Sequence, residues 1–458
     1  MGPRCERVAR PQGRRPAKGQ AMRTFECREI SDEELDAFSA QHRWGNFQQA
    51  SKMGAVRRAE GVQIMCAGVF EAGELVAAAQ VELHRSRLST FAEIHNGPLM
   101  DLGDAELDTF FFGWLKGWAK RQGAAQLEVI PESPWRLRTT DGEEVDPAAT
   151  PDELRALHIP ADAFVGPDEA AFKNLTDLGF IHSGFFRGWT GVPRWRYIKD
   201  LTGITTEDEL LASYSKNTRR NVRIARESGV TVERVGKDDL PAFHAIIEMS
   251  CQKQGFENRP LSYFQTLYDC FGDEAEFLVG YVDLAAHLAS WEEKRDGFAA
   301  DVARLEASLA HARKPERVQR QIQDARSKHE SALRRIEWTR ERISHDGTRV
   351  PASAALFVWH PRECVYLFSG ADATYAKFYA STAIQHHIML ESVERGYDRY
   401  SFYGVEGIFD DPDSPGRGVL EFKQGFNGYV EELLGSFTLP VRPLVYKAKR
   451  LAHKVLGR

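Results

Sequence analysis

No apolar run in this 458-residue chain approaches the ~20 residues that a membrane-spanning helix needs. The longest candidate, Phe110-Phe111-Phe112-Gly113-Trp114-Leu115, ends at Lys116. Cysteine is scarce: six residues (Cys5, Cys27, Cys66, Cys251, Cys270 and Cys364) lie far apart, with no C-x-x-C pair. That spacing excludes a zinc knuckle and a disulfide framework, and it points to a reducing cytoplasm. Neither sign of charge dominates. Sixty Lys and Arg stand against sixty-six Asp and Glu, a net of −6, which argues against a uniform positive coat but leaves room for local basic patches. The chain has no G-x-x-x-x-G-K-[ST] and no G-x-G-x-x-G after a strand, so those nucleotide cradles are unsupported. It has no G-x-S-x-G nucleophile elbow. H-E-x-x-H is missing too, so His386-His387 with Glu391 read as ordinary helix residues and no metal is expected.

What is present describes a globular protein. Hydrophobic residues make up 42% and charged residues 28% of the sequence. The length is about three times that of an average ~150-residue domain, so it predicts two domains, or two plus an insertion. Residues 1–23 carry seven basic residues against Glu6 and no apolar core, which excludes a secretory signal. They read as a disordered basic extension, or as an upstream start with Met22 the true initiator.

Segments 62–70 and 75–83 read as neighbouring strands across a turn at 71–73. A helix is expected at 104–122, capped by Asp104 and stopped at Gly123, followed by a strand at 126–130. Residues 133–165, rich in Pro, Asp and Thr, read as a long excursion. The second half repeats the rhythm, with helices at 207–227, 238–254, 260–272 and 375–395 and strands at 231–235, 276–282, 354–359, 363–369 and 398–403. This alternation predicts two α/β domains of similar plan, at 24–200 and 201–440.

The stretch 287–345 interrupts that rhythm. Leu288, Trp291, Arg295, Phe298, Val302, Leu305 and Leu309 are spaced alternately three and four apart. Val318, Ile322, Ala325, His329, Ala332, Ile336, Thr339 and Ile343 continue the seam beyond Pro315. Proline is tolerated in a first helical turn but not inside a helix. An antiparallel coiled-coil hairpin inserted in the second domain, with its tip near Pro315, is therefore expected. Each arm of ~22 residues would reach ~33 Å.

Residues 211–226 contain five basic residues and no acid. Lys216, Arg219, Arg220, Arg223 and Arg226 recur at helical spacing, so the stripe is either a solvated face or a phosphate contact. The tail 441–458 is a basic amphipathic helix that suits an RNA or an anionic membrane surface, or packs on the domain with its lysines outward.

Four blocks together resemble the FemABX family of non-ribosomal peptidyltransferases. They are the arginine-rich stretch Lys216-Asn217-Thr218-Arg219-Arg220-Asn221-Val222-Arg223-Ile224-Ala225-Arg226-Glu227-Ser228-Gly229-Val230, the block Gly255-Phe256-Glu257-Asn258-Arg259-Pro260-Leu261-Ser262-Tyr263-Phe264, the helical arm, and Phe422-Lys423-Gln424-Gly425-Phe426-Asn427. The likeness covers about residues 25 to 445. It implies two tandem GNAT-like acyltransferase domains and a cytoplasmic enzyme, at the inner membrane face if the acceptor is lipid-linked. Such an enzyme moves an amino acid of the Ala, Gly or Ser class from aminoacyl-tRNA, a co-substrate, onto UDP-MurNAc-pentapeptide or lipid II, with no cofactor. It further implies that Lys423 is a cation beside the tRNA end or the developing oxyanion, with Phe422 shaping its site. Arg259, Tyr263 and Arg57 would contact the precursor's diphosphate and nucleotide, and Lys216, Arg219, Arg220 and Arg223 the tRNA. The arm, with Arg313, Lys314, Arg317 and Arg320 at its tip, resembles in outline that of seryl-tRNA synthetase; it is a tRNA contact, a protein–protein contact or simply a structural arm. Two departures stand out: Gln49 to Arg57 lacks the family's tryptophan and final lysine, and Ile130 precedes Pro131 where a carboxylate is usual, leaving Glu128 and Glu132 only as neighbours and no general base assigned. Competing readings are an acetyl-CoA-dependent N-acyltransferase, for which Lys120-Arg121-Gln122-Gly123-Ala124-Ala125 is the nearest approach to a pyrophosphate turn, and a non-catalytic RNA-binding coiled-coil adaptor.

Overall fold

A computed structural model describes residues 23–86, 89–255 and 257–455. The basic extension thus lies outside the described residues, except for Arg23, which pairs with Glu71 at 2.6 Å and Asp104 at 2.5 Å. Phe256 of the second block also lies outside them.

The described strands run, in chain order, β1 (Phe25–Glu29), β2 (Gln63–Glu71), β3 (Glu74–Arg85), β4 (Thr90–His95), β5 (Gln126–Ile130), β6 (Pro134–Arg138), β7 (Ile181–His182), β8 (Trp195–Asp200), β9 (Val230–Arg234), β10 (Ala275–Asp283), β11 (Arg349–His360), β12 (Glu363–Ala371), β13 (Arg399–Val405), β14 (Tyr429–Leu433) and β15 (Phe437–Pro440). They form two sheets, ordered β1-β2-β3-β4-β5-β15-β7 and β6-β14-β8-β13-β12-β11-β10-β9. Each sheet begins as four antiparallel strands and then takes a parallel neighbour, β4 beside β5 and β12 beside β13. In both, a helix fills the parallel crossover: Ala105–Arg121 in the first and Ala380–Glu394 in the second. The plan is duplicated, as two tandem GNAT-like α/β domains require.

Chain order and sheet membership diverge at the junction. β6 and β8 precede residue 201 yet belong to the second sheet, and β15 returns from the C-terminal side to lie between β5 and β7. The 133–165 stretch is therefore more than an excursion. Leu137 on β6 joins Val145, Leu154, Ile159 and Val165 in a small core against Ile198 and Tyr429. Its Pro and Asp content reflects tight turns rather than absent structure.

The expected helix at 207–227 is two helices, Glu207–Ala212 and Lys216–Glu227. Ser215 caps the second, accepting the Thr218 amide at 3.2 Å, because its short hydroxyl competes with helical continuation.

The insertion comprises helices Leu284–Leu309 and Pro315–Asp346 packed on each other, with Pro315 in the first turn of the second. Glu306 pairs with Arg326 and Glu292, farther from the tip, with Arg340, so the two helices run in opposite directions. Ile322, Ala325, Ala332, Ile336 and Thr339, all on the seam, are the buried residues of the second helix. At the root, Trp338 and Ile343 pack onto Val282, Val350, Tyr375 and Phe378.

Candidate active site

β12 and β13 pair only at Cys364 with Tyr400 and Val365 with Ser401. Beyond that point β13 bulges: its register against β8 shifts between Ser401 and Gly404, and Tyr403 adopts φ +59°. A left-handed tyrosine is strained and persists only where its surroundings hold it. Lys423, on helix Arg417–Gln424, supplies the hold. Its Nζ donates to the Phe402 carbonyl at 2.7 Å and the Gly404 carbonyl at 2.6 Å, the two flanking the bulge. Among the described residues the lysine is buried without a carboxylate partner, and burial pulls its pKa down to about 7. Two of its three donors are committed, which leaves one. Phe422 is half-buried and meets Phe426 edge-on at 5.4 Å. A second buried lysine, Lys199 on β8, donates to the carbonyls of Phe426 and Asn427 at 2.9 and 3.3 Å; burial pulls it down to about 7 as well.

Arg57, Tyr263 and Arg259 come from opposite halves of the chain and converge. The Arg259 guanidinium lies 5.2 Å from the Tyr263 ring centre. Burial pushes the Tyr263 hydroxyl up, while the charges of Arg57 and Arg259 pull it back. Arg57 also reaches the field of Tyr403, and the Arg196 guanidinium lies 5.2 Å from the Tyr403 ring centre. Arg57 itself is held by Glu82, Nε to Oε1 at 3.2 Å. Glu82, buried on β3, accepts also from His95 Nδ1 at 2.8 Å and contacts His84 Nε2 at 3.2 Å; His95 Nε2 meets Glu93 at 2.9 Å. Among the described residues, Glu82, Glu93 and His95 are also the group whose ligand atoms lie near enough to share an ion. Both His95 nitrogens are occupied by carboxylates, and despite burial those partners raise its pKa to about 9.

Next to the Lys423 block, Lys216, Asn217, Arg219, Arg220 and Arg223 line a groove of about 460 Å³ and are exposed. Arg223 makes a long ion pair with Glu227 at 3.7 Å, whereas Arg226 is held more closely, by Glu207 and by His386 Nε2 at 3.0 Å. The N-terminus of this helix abuts the block directly. The Ser215 amide donates to the Gly425 carbonyl at 3.0 Å, and a Cβ on Gly425 would lie 2.4 Å from Thr218 Oγ1.

Tyr403, Glu82 and the buried Glu132–Arg196 ion pair are the residues that sequence reading missed. Only Glu132, two positions after Ile130, carried a signal. The alternative pyrophosphate turn is closed. Gly123, Ala124 and Ala125 donate their amides to Lys120, Ala119 and Thr90 carbonyls at 3.1, 2.9 and 2.9 Å, leaving none for a phosphate. His386 is likewise engaged, by Tyr214 and Glu207 at 3.3 and 3.2 Å. No helix among the described residues is long and apolar enough to cross a membrane.

Comparison with known proteins identifies the family and the fold. The model of the FemAB family matches residues 30–454. Aminoacyltransferase FemA from Staphylococcus aureus strain bovine RF122 / ET3-1 is 25% identical over 433 residues, covering 94% of this chain and 98% of the relative. The same protein from strain N315 gives the same figures. The crystal structure of FemX superposes with a TM-score of 0.68 at 23% identity, over 92% of this chain and 99% of that one. The chain is an acyltransferase enzyme and belongs to the FemAB family.

Proposed function

We propose that this enzyme moves an amino acid of the Ala, Gly or Ser class from aminoacyl-tRNA onto the stem-peptide amine of a peptidoglycan precursor, UDP-MurNAc-pentapeptide or lipid II. The observation that carries this reading is that two cationic sites are both tied to one bulged strand, one through the field of Tyr403 and the other through the Lys423 block. Arg57, Arg259 and Tyr263 lie on the Tyr403 side, and the Lys216–Arg223 groove abuts the Lys423 block. Arginine forks suit a diphosphate, and an open basic groove suits an RNA backbone. The ester donor is already activated, so holding both substrates across the bulge supplies much of the rate, and no resident cofactor is required. Lys423 Nζ, with one donor uncommitted, supports the developing oxyanion. Exposed Leu444 and Val445 beside Arg442 and Lys447 support peripheral contact with the inner face of the membrane. The protein is incubated with a charged tRNA pool and each precursor. Labelled amino acid is expected in the precursor; transfer from acetyl-CoA alone, or RNA binding without transfer, overturns the proposal.

Glu82 should matter to the acceptor half only. In Glu82→Gln, Arg57 loses the nearer of two charged partners and keeps Glu60 at 3.4 Å, and KM for the nucleotide-linked precursor is expected to rise roughly tenfold, about one charge-assisted hydrogen bond, with kcat little changed. The rise should vanish in an Arg57→Ala background, which steady-state kinetics on the four proteins would check.

A further inference from the structure

Strands β3 and β4 each carry the triplet E-x-H, as Glu82-Leu83-His84 and Glu93-Ile94-His95. Alternate residues of a strand share a face, so each triplet turns its glutamate and its histidine to the same side. The antiparallel register sets Glu82 directly opposite Glu93, and the four side chains meet. His95 Nδ1 lies 2.8 Å from Glu82 Oε1, and its Nε2 lies 2.9 Å from Glu93 Oε1. His84 Nε2 lies 3.2 Å from Glu82 Oε2 and 3.6 Å from Glu93 Oε2. Carboxylates and imidazoles thus alternate around a closed ring, in which Glu82, Glu93 and His95 offer ligand atoms within 4.8 Å of one another. The His84 ring stacks on Phe91 at 4.7 Å, which fixes its plane.

Two features set this ring apart from an ordinary ion-pair network. Like charges directly opposite across a sheet are destabilising, yet here Glu82 is buried and Glu93 half-buried. The His84 contacts are also longer than the about 2.7–2.9 Å of a charge-assisted hydrogen bond. They bracket instead the separation of about 3.3–3.4 Å between neighbouring donors around a tetrahedral ion bound at about 2.0–2.1 Å. We propose that the ring is a binding site for one divalent transition-metal ion, Zn²⁺ by its donor chemistry. Two imidazoles and two carboxylates suit zinc, whereas Mg²⁺ and Ca²⁺ take oxygen ligands. The ligands are His84 Nε2, His95 Nε2, Glu93 and Glu82 Oε2. Glu82 Oε1 keeps its other partners, His95 Nδ1 and Arg57 Nε at 3.2 Å. A ligating histidine whose second nitrogen donates to a carboxylate is oriented and made more basic by it. The ion replaces the proton on His95 Nε2, so one proton leaves for each ion bound. Charge closes as well: two carboxylates balance the ion, and Arg57 has Glu60 at 3.4 Å. Bound there, the ion pins β3 to β4 and fixes the carboxylate that holds Arg57. The H-E-x-x-H signature misses such a site, because it places its histidines four apart on a helix and these ligands sit two apart on paired strands.

The chelator-stripped enzyme is titrated with ZnCl2 and, separately, with MgCl2 by calorimetry. One Zn²⁺ per chain is expected, with an enthalpy that varies with the buffer because a proton is released, and no Mg²⁺. In Glu93→Gln and in His84→Ala the affinity for Zn²⁺ should fall about 100-fold or more. Zn²⁺ should raise the melting temperature of the wild type but of neither variant. Co²⁺ in place of Zn²⁺ should give the wild type the intense visible absorption of a four-coordinate ion, a result that needs no variant to fold. No Zn²⁺ uptake by the wild type, or a Co²⁺ adduct without that absorption, overturns the site. Uptake unchanged in both variants overturns it too, by placing the ion elsewhere.

Discussion

Replacing Lys423 by alanine should lower transfer by about 10²–10³-fold, the loss seen when one oxyanion donor is removed. The reason is double. The variant removes the one cation that reaches the bulge from the Lys423 block, and it strips the Phe402 and Gly404 carbonyls of their donor. Leaving buried carbonyls unmet costs about 1–3 kcal/mol each, so the bulge that carries Tyr403 should relax as well. Lys423→Met keeps the stem's volume and separates the two roles. If the ammonium acts on the reaction, methionine loses single-turnover rate while affinity for charged tRNA is kept. If it acts on a tRNA phosphate, affinity falls instead. Near-native turnover in both variants would remove Lys423 from the mechanism.

The same lysine predicts a pH signature in stability. Its pKa is near 10.5 when unfolded and about 7 when buried, so between those values the unfolded chain binds the extra proton. Its contribution is therefore present above the unfolded value, fades as pH falls, and is lost through about 7. Wild type minus Lys423→Met should rise across pH 7 to 10 by up to about 1.4 kcal/mol per unit, as denaturant titrations would record. His95 works in the opposite sense: its stabilisation is full below about 6.5 and lost as pH rises through about 9. Only the difference between variants, not the raw curve, isolates the lysine.

Legibility from sequence depended on whether the information was periodic. The hairpin seam was readable because burial repeats along one helix face, and the residues spaced three and four apart are those the packing covers. The exchanged strands were not. Neither β6, inside the stretch read as an excursion, nor β15 is predicted from the sequence, and a period of two would in any case carry nothing about which sheet receives a strand, since the partner is chosen by long-range packing. The motif blocks placed Arg57, Arg259 and Tyr263 as candidates, and the fold brings them into one another's field. What Lys423 touches was hidden for another reason: its partners are backbone carbonyls on β13, and carbonyls leave no mark on residue identity. The left-handed Tyr403 is invisible for the same reason, because its neighbours rather than its own type hold the backbone there.

The basic groove carries the second large effect. Changing Lys216, Arg219, Arg220 and Arg223 together to alanine is expected to weaken RNA binding by about 10²–10³-fold near 0.1 M salt. The slope of log affinity against log salt should become shallower by about 3, at roughly 0.7–0.9 for each phosphate that is no longer neutralised. Turnover at saturating charged tRNA and KM for the precursor should change little, since none of the four touches the Arg57–Tyr263 cluster. Arg226 provides the control within the same helix. It is engaged by Glu207 and His386, so Arg226→Ala should affect melting and leave the salt slope unchanged. If the fourfold variant keeps the wild-type slope, the groove is a solvated face and the RNA must be held elsewhere, on the arm tip or the C-terminal helix. Either result rests on local fields. At a Debye length of about 10 Å, a phosphate in the groove senses its lining cations and almost nothing of a net charge of −6 spread over the rest of the chain.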